Sequence, residues 1–402
     1  MVNEKLRPVA LSAVVVDEEW DQALAQALVQ IQDISPDVVF LFVSTEFVDH
    51  YQEMLQIVRH ETGAAFLLGC ATQSVIGEDQ ELEDLPAVSL LALSLPGAKL
   101  QAVRFTQQMV ETTKREQEWY DQLGVGREDV NSWLLFSDPH NLDCEQLLDG
   151  LTKAYPNVPI MGGLAAGDID DRAMCLFYND EIIEEGGIGL AIGGTYAMVP
   201  LIAQGCTPIG ESWTITKVLD NGLLEGISNR PAYQMLLDTF KTLSTEEQRR
   251  AQRNILVGLA ANEYQDSFTR GSFLIRQLLG FDKRVGSLAI GAVPRIGQTL
   301  QFQMRDPTTA DYDLRTQLVQ MRCALGEQEP VAALLCSCNG RGMGMFGIPD
   351  HDAAMIAREL NHIPLAGFFC SGEIGPVGNR SYLHCYAASL GVIVRLPAPR
   401  DA

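Results

Sequence analysis

Three consecutive stretches decide how this chain folds: "PVAALLCSCNGRG" at residues 330–342, "DHDAAMIARELNH" at 350–362 and "IPLAGFFCSGE" at 363–373. An apolar run ends at Cys338-Asn339-Gly340, and a second ends at Cys370-Ser371-Gly372. Short apolar runs closed by turn residues read as strands buried on both faces. Between them Met355, Ile356 and Leu360 recur at helical spacing, with Asp350 or Asp352 placed to cap the helix. Strand, helix and strand in this succession form a βαβ unit, with a parallel pair and a right-handed crossover.

The same plan occurs twice upstream. "PDVVFLFVSTEF" (36–47), "HYQEMLQIVRHETG" (50–63) and "AAFLLGCAT" (64–72) form one copy. "NSWLLFSDPH" (131–140), "CEQLLDGLTKAYPN" (144–157) and "VPIMGGLAAGD" (158–168) form another. In each copy the second strand is expected to end in glycine next to a small residue, Gly69-Cys70 and Gly162-Gly163, with Gly367 followed by Phe368 in the third. A loop of variable length then leads to one more apolar strand, "AVSLLALSLPG", "GGIGLAIGG" or "AASLGVIVRLP". An earlier strand, "VALSAVVV", and a helix bearing Trp20, Leu24, Leu28 and Ile31 feed the first copy.

Residues 195–330 read differently. "SFLIRQLLGFD", "GSLAIGAV" and "GQTLQFQMRD" predict an antiparallel meander, flanked by helices at "RPAYQMLLDTFKTL" and "TADYDLRTQLVQMRCAL". The fold class is therefore mixed α/β, with repeated βαβ units and an antiparallel β-meander between them. Residues 107–128 and 243–252 read as exposed and helical. The expected division is an N-terminal α/β part over 1–205 and a C-terminal part over 206–402.

Composition narrows the function. The 402 residues include 29 Lys and Arg against 52 Asp and Glu, a net charge of −23. Phosphate backbones and anionic membrane surfaces repel such a chain, which argues against nucleic-acid partners. The uncharged stretch 186–205 carries several glycines and Pro200, so two buried strands fit it better than a transmembrane helix. The start, "MVNEKLRPVALSAVVV", shows no signal-peptide pattern, and nine cysteines without a CxxC pair suit reduced thiols. A cytoplasmic location is expected.

Taken together, "LLCSCNGRG", "GQTLQFQMRD" and "PLAGFFCSGEIGPVG" (364–378) followed by "LHCYAAS" (383–389) resemble the C-terminal part of the FIST domain family. "TGAAFLLGCAT" and "PIMGGLAAGD" resemble its N-terminal part. The resemblance implies a sensory domain for small ligands in signal transduction, with amino acids as one ligand class. Some relatives bind haem to detect nitric oxide, and eukaryotic ones carry an F-box. Within these 402 residues no stretch reads as a kinase, cyclase or F-box, so the signal is expected to pass to a separate signalling protein.

Open α/β sheets place ligands beyond the carboxyl ends of their strands. Here those ends hold Asn339, Arg341, Cys370, Ser371 and Glu373, with Arg380 and His384 following. Arg341 and Arg380 suit a carboxylate, Glu373 an amine, and the pair together a zwitterion such as an amino acid. Equally, Arg341 caps a helix or pairs with Glu373. Three rivals stay open. One is haem held by His351, His384, Met343 or Met345. Another is an enzyme using Cys370 with His384. The third is a scaffold without a ligand. "GRGMGMFG" contains GxGxxG but lacks the acidic partner of a dinucleotide site. Cys336, Cys338, Cys370, Cys385 and His384 lack the spacing of a structural zinc site, so buried thiols are the expectation.

Overall fold

The computed structural model describes residues 7–167, 174–252, 254–265, 267–268, 271–326, 328 and 330–397. Residues 1–6 and Asp168, the last residue of the second glycine motif, lie outside them. All three parallel pairs form. β2 (Val38–Ser44) runs beside β3 (Phe66–Thr72), β8 (Ser132–Ser137) beside β9 (Ile160–Leu164), and β21 (Pro330–Cys338) beside β22 (Leu365–Cys370). They are joined by α2 (Tyr51–Thr62), α5 (Cys144–Ala154) and α10 (His351–Glu359). Every residue of β2, β8 and β22 is buried, which is why they read as continuous apolar runs rather than alternating ones.

The motif glycine does the same job three times. Gly69 pairs with Leu41, Gly162 with Leu135 and Gly367 with Leu335. A Cβ at these positions would lie 1.7, 1.8 and 1.9 Å from the partner's carbonyl oxygen. No side chain fits there, so the sequence position is restricted to glycine.

The loops of variable length are hairpins, and each joins another copy's sheet. The first sheet runs β1 (Val9–Val16), β6 (Ala87–Ser94), β2, β3, β10 (Leu176–Tyr178), β11 (Glu181–Ile183). The second runs β7 (Ala98–Phe105), β12 (Gly187–Gly194), β8, β9, β23 (Gly372–Val377), β24 (Arg380–His384). The third runs β13 (Tyr196–Gln204), β25 (Ala387–Arg395), β21, β22, β4 (Val75–Gly77), β5 (Gln80–Leu82). Thus copy one gives its hairpin to sheet three, copy two to sheet one, and copy three to sheet two. The exchange is cyclic, and the three sheets have one strand order.

One core joins the three sheets. Phe42, Phe136 and Phe368 pack with ring centroids 5.0–5.6 Å apart, one from each copy. Their strand partners are Cys70, Gly163 and Cys336, small residues that leave room for the rings. In copy three the large residue has moved to the second strand and the small one to the first.

Two compact units result: residues 1–203, 314–383 and 387–402 in one, 204–313 and 384–386 in the other. The second unit's strands are antiparallel, but they do not follow a simple meander. β18 (Phe273–Asp282) pairs with β19 (Ser287–Ile290), whereas β20 (Thr299–Arg305) pairs with β17 (Ile255–Ala260) and β14 (Cys206–Val218). The strandless residues 291–298, with Pro294, carry the chain across. β14 also pairs with β15 (Leu224–Ile227), itself paired with β19, which closes a ring of strands. Residues 107–128 split into α3 (Gln107–Thr112) and α4 (Glu116–Leu123), because the Glu118 carboxylate accepts from the backbone of Lys114 and Arg115. Among the described residues no helix is long and apolar enough to cross a membrane; the stretch 186–205 forms the separate strands β12 and β13.

Candidate functional site

The threefold plan shows which side chain breaks it. Opposite the residue that follows each motif glycine, the exchanged hairpins place Val75 against Phe368, Leu176 against Cys70 and Glu373 against Gly163. Glu373 therefore occupies a place where the other two copies bury valine and leucine. It is wholly buried. Cys370 Sγ donates to its Oε1 at 3.4 Å, Ala387 N to its Oε2 at 2.8 Å, and the Cys338 thiol also bonds to it. Burial pushes this carboxyl up to about 8, partly offset by those hydrogen bonds and by the Arg341 charge. Glu373 in turn raises the buried Cys336 and Cys370 thiols further. Asn339 and Ser371 form an exposed rim beside this buried floor. Ser371 donates through Oγ to the Ala165 carbonyl at 2.8 Å, and Thr72 Oγ1 donates to Phe369 O at 2.8 Å. The strand tips of all three copies meet here.

Arg341 lies on the turn after β21 and is fully buried. Its Nε and Nη2 donate to Asp352 at 2.5 and 2.9 Å, a two-point pairing. Burial opposes the Arg341 charge, yet the neighbouring Asp352 carboxylate raises its pKa; burial likewise opposes charge on Asp352, but Arg341 and His351 hold it at about 2. The Arg341 guanidinium also lies 5.3 Å from the Phe346 ring centre, and His351 stacks on that ring. Nη1 has no hydrogen-bond partner among the described residues.

The helix cap differs from expectation. Neither Asp350 nor Asp352 caps α10 through its side chain. Instead Glu81, on the hairpin donated by copy one, accepts from Asp352 N and Ala353 N, both at 3.0 Å. Asp350 is turned outward to accept from Glu81 N at 2.7 Å. Burial pushes Glu81 up to about 8, and Asp352 adds to the rise. Glu83 takes the next amide, Met343 N, at 2.6 Å. The "GRGMGMFG" turn thus presents its amide to a carboxylate of the same chain, where a nucleotide phosphate would need it.

The remaining predicted residues lie on β24, the neighbour of β23 in the second sheet. Arg380 is half exposed and pairs with Asp149 at 2.7 Å. His384 is counted with the second unit, where its Nδ1 lies 3.3 Å from Gln204 Nε2. His384 is wholly buried, and His351 stacks on Phe346 with its Nδ1 2.9 Å from Asp352 Oδ1. Among the described residues no group of three or more His, Cys, Asp or Glu is arranged to hold a metal ion.

Family models match in sequence order: the FIST N domain over residues 37–229 and the FIST C domain over 231–376. The chain belongs to the FIST family. This FIST chain is 33% identical over 376 residues to an uncharacterised protein of Mycobacterium tuberculosis, covering 93% of this chain and 95% of that one. An uncharacterised protein of Mycobacterium bovis is 32% identical over 373 residues, with 93% and 94% covered. Among solved structures, a cyanuric acid hydrolase from A. caulinodans aligns over 97% of this chain and 100% of its own at 11% identity, TM-score 0.39. A second cyanuric acid hydrolase structure gives 10% identity and TM-score 0.33, over 96% and 99%. The FIST family is associated with sensory roles and small-ligand binding.

Sequence reasoning missed Glu81, Asp352 as the partner of Arg341, and Cys338 as a neighbour of Glu373. Glu81 sits in "GEDQELED", an acidic loop with no periodicity that points to α10. Cys338 carried a usable signal, because it and Cys370 each close an apolar run of the same strand–helix–strand copy.

Proposed function

We propose that this FIST chain is a small-ligand sensor, that its site is the strand-tip cluster around Glu373, and that its ligand carries an ammonium and a carboxylate, as an amino acid does. The observation that carries this reading is a wholly buried carboxyl in a core position, with hydrogen-bond donors but no ion pair among the described residues. A buried acid without a counter-ion stays protonated, and an approaching ammonium would let it ionise. Arg341 Nη1, buried and without a hydrogen-bond partner among the described residues, is the donor assigned to the ligand's carboxylate. Asn339 and Ser371 then supply the rim, while Arg380 and His384 take no part. The ligand's effect passes to a separate partner protein.

A thermal-shift screen of the purified chain against the standard amino acids tests this. At least one should raise the melting temperature in a saturable way, and Glu373→Gln, which keeps the shape but cannot ionise, should abolish the rise. A wild-type chain that responds to none of them, or a variant that responds equally, defeats the reading.

A further inference from the structure

We propose that Cys338 and Cys370 form a reversible disulfide across the tips of β21 and β22, which makes this cluster a modification site for hydroperoxides. The two residues are register partners at the last positions of parallel neighbours. Adjacent strands run about 4.8 Å apart, within the Cα separation of about 4.4–6.8 Å that a disulfide spans. Both thiols bond to the carboxyl of Glu373, so their sulfurs lie on one face of the sheet. Both strands end there, and Gly340 and Gly372 follow, so the backbone can adjust to the shorter sulfur separation. In the equivalent tips, Ser44 faces Thr72 in copy one, and Ser137 faces Leu164 in copy two.

The two sulfurs have different roles. Cys338 is the more exposed, at 8% against 0% for Cys370, and its sulfur accepts from Gly340 N at 3.4 Å, so it is the sulfur a peroxide reaches first. Burial pushes the Cys370 thiol well up, so it is the resolving partner. Cys338 sulfur attacks one peroxide oxygen and the O–O bond breaks. The sulfur becomes a sulfenic acid, and the leaving alkoxide or hydroxide takes up the thiol proton. Cys370 sulfur then attacks Cys338 sulfur; the S–O bond breaks and water departs with the second thiol proton. Two thiols and one hydroperoxide give a disulfide, an alcohol or water, and one water. The disulfide removes both thiol donors from Glu373, leaving the Ala387 amide. This inference does not rest on the ligand reading.

The test uses the full chain carrying Cys323→Ser and Cys385→Ser, which removes the exposed and half-exposed thiols. The reduced protein is treated with hydrogen peroxide, unfolded in an alkylating agent, digested without reductant and mapped by mass spectrometry. The expected product joins the Cys338 and Cys370 peptides, lighter by two hydrogens than their sum and released by dithiothreitol. Cys336→Ser should retain it, and Cys338→Ser should lose it. Recovery of both residues alkylated, of Cys338 as sulfinic acid without a link, or of a link to Cys336 overturns the proposal. The map of the parent protein decides even where a cysteine variant fails to fold. A lost amino-acid response with an intact disulfide would count against the ligand reading alone.

Discussion

Arg341 and Arg380 carry the same guanidinium in opposite surroundings. Arg341 is sealed against Asp352, whereas Arg380 is half in solvent against Asp149. Removing one member of a buried pair leaves the other charged and unpaired, which costs about 3–5 kcal/mol; a surface pair contributes about 0–1 kcal/mol. Asp352→Asn is therefore expected to cost ~3–5 kcal/mol in urea unfolding, and Arg380→Ala at most ~1 kcal/mol. Equal losses would show that Arg341 is hydrated. The buried acids make a second prediction. Glu373 and Glu81 are raised from 4.5 to about 8, so the folded chain keeps protons that the unfolded chain releases. Their stabilisation is complete below about pH 4.5 and is lost as pH rises through about 8, with a slope of up to ~1.4 kcal/mol per pH unit per group. Asp352, held at about 2, acts in the opposite sense, and only in more acidic solution. Denaturant midpoints should fall between about pH 5 and 8, and Glu373→Gln should flatten that fall. A parent and variant with the same slope would count against a protonated Glu373.

At the scale of the element, the parallel pairs depend on three glycines. Gly367 leaves no room for a Cβ beside the Leu335 carbonyl, and a main-chain oxygen in a buried ladder cannot swing aside. Gly367→Ala is expected to cost more than ~4 kcal/mol and to show as loss of soluble protein or a collapsed melting temperature. Gly344 has nothing within 4 Å of a Cβ and lies in the short helix Met343–Phe346. Gly344→Ala should stay within ~1 kcal/mol and lean toward stabilisation. A tolerated Gly367→Ala would mean the strands can separate. These glycines were legible as residues, each one beside a core position in an apolar run. The cap of α10 was not, because Asp350 and Asp352 satisfy the local capping pattern while the acid that serves lies on another copy's hairpin.

For the whole molecule, the exchanged hairpins tie the three copies into one cooperative object. A fragment of residues 1–205 lacks β23 and β24, so β9 becomes an open edge; a fragment of 206–402 lacks β4 and β5, so β22 does, and α10 loses Glu81. Open apolar edges and an uncapped buried helix end favour aggregation over folding. Each fragment expressed alone is expected to be insoluble or to unfold without a cooperative transition, and co-expression should restore a joint fold. A stable, cooperatively melting 206–402 fragment would show that the exchange is dispensable. The shared aromatic core supports the same expectation, since Phe42, Phe136 and Phe368 each need the other two.

By itself the sequence determined the three strand–helix–strand copies, their glycines, the apolar strands that cover them and the antiparallel insertion. Those features follow from periodicity and from what one residue's backbone can adopt, and both are properties of neighbours in the chain. It also marked Arg341, Cys370 and Glu373 as chemistry at strand tips. Tertiary structure alone decided which hairpin joins which sheet, that Asp352 claims Arg341, that Glu81 caps a helix 271 residues away, and that two thiols meet one buried acid. Each of those depends on which distant segments share a dry interior, where a polar group must take whatever partner the packing brings to it.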